Sequence, residues 1–359
     1  MATVRSPDEG LRLRQQQAWW KRKTKRTKLW WALVGLVACI VVISTAACAG
    51  DNPSSSTTTN NPASSTGSTR TESTGAGEAP STVPSSSTTA AAGVSGQLQV
   101  HYIDVGQGDS ILILSPEGKV MLIDGGERDS GAVAYLQAKG ITHIDLMVAT
   151  HPHSDHIGGL VDALEVLPVS QVVTNGVPTT THTYERFLEG IANSSATYTE
   201  AKRGDKLTLG SLTFDVLSPE NAAADDLNNG SLVLRLVFGK VTFLFTGDAD
   251  DMAEAAMLAR NEDVSAQILK VGQHGGDAAS SPEFLAAVKP EVAIYSCALG
   301  DSDQHPAAVT LADLADVGAK VYGTDVNGTV VVTSDGSTYQ VQAEKGEARE
   351  PPSVTTTEG

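Results

Sequence analysis

Residues 150–159 have the sequence Thr-His-Pro-His-Ser-Asp-His-Ile-Gly-Gly. Within six positions this stretch carries four side chains that can ligate a metal, those of His151, His153, Asp155 and His156. Burying such groups costs free energy unless they are paired, so ordinary core packing does not explain them. Imidazole and carboxylate are ligands that zinc prefers, and a catalytic zinc keeps one position open for water. We therefore predict a divalent metal site, in preference to a solvated polar loop.

The neighbouring sequence predicts where this motif lies. Residues 144–150 are apolar and indicate a buried strand, so the histidines follow its carboxyl end, where α/β folds usually place their chemistry. Residues 243–248 and 267–276 repeat the arrangement, because each is a short apolar strand that ends beside glycine. The first ends at Asp248, a carboxylate that can bridge two metals, and the second at His274. The alternative for Asp248 is the N-cap of the helix that follows.

The composition limits the classes of function. The chain has 359 residues, a net charge of -17 and a pI of about 4.8. Residues 1–29 carry about +7, so the remainder carries about -24. Non-specific nucleic-acid binding needs lysine and arginine to neutralise phosphates, and the acidic body argues against it. Only Cys297 lies in the predicted globular part, so we expect a buried free thiol there and no disulfide.

The N-terminal residues predict a membrane anchor. Residues 1–29 form a basic head that we expect in the cytoplasm. Residues 30–50 carry no charge, are long enough to span a bilayer, and begin with Trp30 and Trp31 at the expected interface. The positive flank predicts a single-pass protein of the cell membrane with an extracytoplasmic body. A cleaved signal peptide, which gives a secreted protein, and lipidation at Cys48 stay open as alternatives.

The remaining chain divides into two polar segments and one body. Residues 51–96, rich in serine and threonine, and residues 346–359 lack the apolar content for a core and predict a disordered linker and tail. Residues 97–345 predict an α/β domain, because a run of strands is followed by strands that alternate with helices, and then by a similar second half. This order indicates two packed sheets with helices outside. The predicted strands lie at 97–105, 110–114, 120–124, 144–150, 212–217, 232–238, 241–245 and 267–271, and the predicted helices at 132–139, 250–260, 282–288 and 306–317.

These motifs together resemble the metallo-β-lactamase superfamily, and most closely the extracytoplasmic metallohydrolase domain of its ComEC-like branch. The histidine-rich motif is diagnostic of the superfamily, and the Asp-Val-Gly-Gln-Gly-Asp-Ser sequence of residues 104–110 is specific to the branch. The resemblance implies an αββα sandwich with a two-metal site at one edge. The matching stretches lie at residues 102–113, 122–126, 150–159, 229–236, 244–248, 269–275, 280–285 and 322–328.

The resemblance also implies roles for the candidate residues. His151 and His153 would bind the first of two divalent metals, with zinc or manganese as the candidates. Asp155, His156 and His274 would bind the second metal, and Asp248 would bridge the two. Asp124 would orient a ligand histidine. Hydrolysis would use metal-activated water on a phosphoryl or acyl group, with Asp155 and His156 as the catalytic residues and Asp155 positioning the water. Asp109 and Lys270 are further candidates near the site.

Three residues mark departures from the usual pattern of the superfamily. The third histidine for the first metal is missing, and Asn228 or Asn229 offers an amide oxygen in its place, which makes manganese more plausible. Gln273 stands where relatives carry a first histidine before His274, which puts catalytic efficiency in question. His305, in Gln-His-Pro, is either an active-site rim residue or a plain surface histidine.

Three functions fit these observations. The first is a membrane-tethered, extracytoplasmic, metal-dependent hydrolase that resembles a phosphodiesterase or nuclease, with a phosphoester substrate, nucleic acid included. The second is hydrolysis of a carboxylic ester or amide, such as a β-lactam, which the missing histidine disfavours. The third is a catalytically weak or inactive binding partner in a competence or envelope machine, which Gln273 supports. With one candidate span, the chain cannot form a DNA channel by itself.

Overall fold

The computed structural model describes residues 96–221 and 226–349. The predicted head, anchor and nearly all of the linker lie outside the described residues, as do residues 350–359. Among the residues that are described, no helix combines the length and apolar content needed to cross a membrane.

The described chain alternates strands and helices. The strands are β1 (Leu98–Tyr102), β2 (Ile111–Leu114), β3 (Val120–Ile123), β4 (Ile144–Ala149), β5 (Val169–Thr174), β6 (Thr197–Glu200), β7 (Lys206–Leu209), β8 (Leu212–Ser218), β9 (Val233–Phe238), β10 (Val241–Phe245), β11 (Ile268–Lys270), β12 (Val292–Tyr295), β13 (Lys320–Gly323), β14 (Val330–Ser334) and β15 (Tyr339–Ala343). The α-helices are α1 (Ala132–Ala138), α2 (Ser154–Val166), α3 (His182–Asn193), α4 (Asp251–Ala259), α5 (Pro282–Val288), α6 (Ala308–Asp316) and α7 (Thr324–Asn327).

The strands form two sheets that pack against each other. The first sheet has the order β15-β14-β1-β2-β3-β4-β5-β6, and the second has the order β13-β12-β11-β10-β9-β8-β7. Successive side chains of a strand point to opposite faces. In β10, Phe243 and Phe245 therefore join the core between the sheets, whereas Leu244 joins the cluster on the outer face.

Helices cover the two outer faces. Apolar residues of α1, α2 and α3 share a buried cluster with the first sheet, and those of α4, α5 and α6 share another with the second. The layers are therefore helix, sheet, sheet and helix, and the predicted two-sheet α/β architecture is confirmed.

Strand direction brings the candidate residues to one edge. Strands β3 to β6 are parallel neighbours in the first sheet, as are β10 to β13 in the second. The carboxyl ends of parallel neighbours lie at the same edge. Asp124 directly follows β3, the histidine-rich motif follows β4, and the segments with Asp248 and His274 follow β10 and β11.

The folded body extends beyond the boundary predicted at residue 345. The side-chain amide of Asn327 donates to the carbonyls of Lys345 and Glu347, at 3.0 and 2.8 Å. The Arg349 N–H donates to Val321 O at 2.7 Å, and its guanidinium lies 3.6 Å from Asp325. Residues 346–349 therefore belong to the domain, because their backbone is bonded to it.

Glycines let the loops at the site edge approach one another closely. The Asp109 N–H donates to Asp155 O at 3.2 Å, and the Gly125 N–H donates to His156 O at 2.7 Å. Gly108 has φ +109°, and a Cβ there would lie 1.9 Å from Asp155 O. Only glycine fits this contact, which ties the β1–β2 loop to the start of α2.

Replacing Gly108 should therefore lower the free energy of unfolding by more than the cost of placing another residue at positive φ. Gly108→Ala and Gly131→Ala both place alanine at positive φ, a cost of about 1–2 kcal/mol. A Cβ at Gly131 (φ +93°) meets nothing within 4 Å, so only Gly108→Ala should lose a further ~1–3 kcal/mol from overpacking. Urea unfolding of the purified chain measures both values, and equal losses would contradict the role given to this contact.

Candidate metal centre

Asp248 lies at the centre of a cluster of imidazoles. Its Oδ2 atom is 3.1 Å from His156 Nε2, 3.3 Å from His274 Nε2 and 3.7 Å from His151 Nε2. All four side chains are buried. Three ring nitrogens thus face one carboxylate oxygen, which is the arrangement expected of a bridging ligand.

The six candidate ligands fall into two groups. The donor atoms of His151, His153 and Asp248 lie within 4.8 Å of one another, as do those of Asp155, His156 and His274. These are the two sets that the resemblance implies for the first and second metals, and the structure brings each set together.

The donor chemistry fits two divalent cations. Within the described residues, Asp248 Oδ1 is buried and has no hydrogen-bond partner. A buried orphan polar atom costs about 1–3 kcal/mol, and a metal would satisfy this one. Nitrogen and oxygen donors suit zinc and manganese alike, so the donor set does not choose between them.

Asp124 holds His156 in the orientation that the site requires. Its carboxylate accepts from the Thr150 N–H at 2.8 Å and from the Thr150 hydroxyl at 2.7 Å, and it lies 2.9 Å from His156 Nδ1. This contact leaves His156 Nε2 to face Asp248. Burial raises the pKa of Asp124, although the His156 ring opposes the rise.

Ser231 supports the other side of the cluster, and the sequence analysis missed it. Its hydroxyl accepts from the Asp248 N–H at 3.2 Å and lies 3.3 Å from His151 Nδ1. A serine in a loop carries no signal of this role, because the role depends on contacts with residues 17 and 80 positions away.

His274 occupies a strained turn. Gln273 and His274 have φ values of 45° and 56°, in the left-handed region that costs non-glycine residues of order 1–3 kcal/mol. His274 Nδ1 donates to Ser296 O at 2.9 Å, which directs Nε2 into the cluster. His305, half-buried, has its ring centroid 5.8 Å from that of His274 and its Nδ1 2.9 Å from Asp301 Oδ2. The structure thus places His305 beside the cluster.

Asp109 and Lys270 form a buried ion pair beside His274. Lys270 Nζ lies 2.7 Å from Asp109 Oδ2, and Asp109 Oδ1 lies 3.5 Å from His274 Nδ1. Burial alone would raise the pKa of Asp109. The Lys270 ammonium and the His274 ring outweigh burial, so the pKa is lowered and the carboxylate is ionised.

The two candidate asparagines have different environments. The Asn229 amide donates to Asp250 Oδ2 at 2.7 Å and accepts from the Ala253 N–H at 3.0 Å, so it supports the start of α4. Asp250 is the N-cap of this helix, which excludes the N-cap alternative for Asp248. Asn228 Oδ1 is buried without a hydrogen-bond partner, so of the two amide oxygens only this one is free for a ligand.

Electrostatics couples the histidines to the carboxylates. Burial lowers the pKa of His156 and of His274, but the Asp248 carboxylate and its acidic neighbours outweigh burial and hold both values well above normal. Burial also opposes ionisation of Asp248, yet the same two rings hold its pKa well below normal. Burial and the neighbouring His156 lower the pKa of His151, which favours a neutral ring, and its Nε2 lies 3.0 Å from His153 Nδ1. In the absence of metal, protons on the imidazoles balance the carboxylates; bound cations would replace them.

A sequence model of the Metallo-beta-lactamase superfamily matches residues 103–298. The chain belongs to this superfamily. It is 30% identical over 256 residues to ComE operon protein 3 of Bacillus subtilis (strain 168), covering 66% of this chain and 33% of that protein. It is 29% identical over 231 residues to Competence protein ComA of Neisseria gonorrhoeae, covering 63% of this chain and 31% of that protein.

The chain spans about a third of the length of these curated relatives. Among solved structures it is similar to CmlA, a diiron beta-hydroxylase from Streptomyces venezuelae, with a TM-score of 0.44 and 17% identity over 62% of this chain and 52% of that one. The predicted superfamily and the likeness to competence proteins are both confirmed.

The environments of the asparagines predict opposite effects of substitution. Asn229→Ala removes the hydrogen bonds to the Ala253 N–H and to Asp250 Oδ2, and it should lower the free energy of unfolding by about 1–3 kcal/mol. Within the described residues Asn228→Ala breaks no hydrogen bond of Oδ1, so it should change stability by under ~1 kcal/mol. It should instead weaken binding of one zinc ion by at least roughly tenfold. Urea unfolding and zinc titration of both variants test this, and unchanged zinc affinity in Asn228→Ala would exclude its amide oxygen as a ligand.

Proposed function

We propose that this protein is a metal-dependent phosphodiesterase, tethered to the cell membrane with its body on the extracytoplasmic side. The observation that carries the proposal is the central position of Asp248 between two groups of metal-ligating side chains. Two divalent metals in these groups would activate water and neutralise charge on a phosphoryl oxygen.

The chain's own residues support hydrolysis of a phosphoester. Asp155 has a partly exposed side chain, with its Oδ2 3.1 Å from His274 Nε2, so it can meet both solvent water and the cluster. Asp124 fixes His156 from behind. Within the described residues the first group has two histidines and one carboxylate, without the third histidine on which β-lactam hydrolysis relies. This favours phosphoesters over β-lactams.

The acidic body favours small or local substrates. The chain outside residues 1–29 carries about -24, a charge that repels long polyanions and weakens any non-specific contact with DNA. The relatives' names include a competence protein, so a nucleic-acid strand delivered to the site by a partner is a candidate substrate.

Activity should depend on the cluster. With added zinc or manganese, His151→Ala and Asp248→Asn should each lower turnover of bis-p-nitrophenyl phosphate by more than the roughly 10–100-fold that loss of an outer residue costs. His182→Ala is the matched control, because this histidine is 89% exposed and lies outside the cluster. Turnover in His151→Ala equal to that of the control would overturn the proposal.

A non-catalytic role is the second candidate. Gln273 replaces a histidine next to His274, and the named relatives include a competence protein, so the chain could serve as a metal-binding partner in a competence or envelope machine. Two bound metals with no turnover of phosphodiesters, carboxylic esters or a chromogenic β-lactam would support this role.

The tether follows from residues 30–50, which we propose remain as an uncleaved anchor. The full chain should sediment with membranes and resist release by high salt, whereas a variant without residues 1–50 should be soluble. External protease should cleave the body in cells whose outer layers are permeabilised. Cys48→Ala is the control for lipidation. If this variant no longer sediments with membranes, a lipid on Cys48 attaches the protein, and the proposed transmembrane anchor is wrong.

A further inference from the structure

The Lys270–Asp109 ion pair connects the two sheets at the site edge. Lys270 is the last residue of β11 in the second sheet, and Asp109 lies in the β1–β2 loop of the first sheet. Their charged atoms are 2.7 Å apart, and both side chains are almost fully buried. Lys270 Nζ also donates to Val271 O at 2.9 Å, so the ammonium is held at two points.

Asp109 is bonded to the first-sheet half of the metal centre. Its N–H donates to Asp155 O at 3.2 Å, and its carbonyl accepts from the Gly126 N–H at 2.7 Å. The backbone of Asp109 is therefore joined directly to a candidate ligand and to the loop that follows β3.

Lys270 belongs to the opposite half. Four residues after it, His274 contributes the ligand that the second sheet supplies to the second group, whereas Asp155 and His156 come from the first sheet. The Asp109 carboxylate faces both partners, because Oδ2 contacts Lys270 and Oδ1 lies 3.5 Å from His274 Nδ1. The ligands of this second group thus come from two separate sheets, and the ion pair joins the loop of Asp109 in the first sheet to the end of β11 in the second.

We propose that the Lys270–Asp109 pair sets the spacing between the two halves of the second group and thereby its affinity for metal. The inference rests on the metal centre of the proposed function. Two apolar side chains would fill the same volume with less desolvation, but they would hold the loops in no particular direction. A hydrogen-bonded ion pair fixes both distance and direction. Lys270 and Asp109 are positioning residues, since neither is among the six candidate ligands.

The test is zinc affinity in the full-length Lys270→Met protein, which keeps an unbranched side chain one atom shorter and removes the charge. Titration of metal-free protein against a chromophoric zinc chelator resolves the two binding events. We expect one of the two events to lose about 10–100-fold in affinity, as for other residues that orient ligands, while the other changes little. Cobalt substitution should show a shifted visible absorption band. Lys240→Met, at an exposed position in the turn between β9 and β10, should match the wild type.

A double variant separates positioning from folding. Lys270→Met with Asp109→Leu removes the unpaired buried carboxylate, so the melting temperature should recover while the zinc affinity lost in Lys270→Met stays low. This variant also carries the test if Lys270→Met does not fold. Wild-type zinc affinity in Lys270→Met, or recovery of both properties in the double variant, would overturn the inference. Zinc binding is measured without substrate, so this test does not depend on enzyme activity. If the wild type binds two zinc ions but does not hydrolyse phosphodiesters, the proposed phosphodiesterase function is wrong and the inference about the ion pair still stands.

Discussion

Buried negative charge is the constraint that organises this site. The carboxylates of Asp109, Asp124 and Asp248 are almost fully removed from solvent, and an isolated buried charge is very costly. Each has a positive or hydrogen-bonding partner: Lys270 for Asp109, Thr150 and His156 for Asp124, and three imidazoles for Asp248. Divalent cations would complete this balance, because they carry more charge than the protons that they would displace.

The fold supplies the convergence that this balance needs. Two sheets place the carboxyl ends of their parallel strands at one edge, and glycine-rich loops let the backbones touch there. Two contacts fix the backbones at this edge. The close approach of Gly108 to Asp155 lies within the half of the domain built on the first sheet, and the ion pair between Asp109 and Lys270 joins the two halves. Precise ligand geometry thus depends on residues that would bind no metal.

The metal-ligating cluster indicates the reaction, whereas the acidic charge of the body limits the substrates that can bind. The cluster has the donors of a two-metal hydrolase, whereas the acidic body disfavours broad affinity for nucleic acid. The tethered enzyme that we propose, with a small or delivered substrate, would satisfy both conditions. The chain spans about a third of the length of the named relatives, so the activity of those whole proteins is not carried over to it.

The sequence alone predicted the superfamily, the two-sheet order and the residues of the cluster. It could do so because most ligands are close in the chain, at residues 151–156, and because Asp248 and His274 lie within four residues of the end of an apolar strand. It did not place helices α2, α3 and α7 or strands β5, β6, β7 and β12 to β15. Strand β6 is largely exposed and lacks the alternation of a half-buried strand, whereas β12 is short and buried throughout, a pattern that periodicity alone does not assign to a strand.

Only the tertiary structure decided the contacts that depend on a single position. It distinguished Asn228 from Asn229 and assigned the helix N-cap to Asp250 instead of Asp248. It also revealed Ser231 as a support of His151 and Asp248, and paired Lys270 with Asp109 across 161 positions of sequence. Local pattern encodes which residue types follow a strand. Which atom each one meets depends on how the two sheets pack, and that packing is a property of the whole domain.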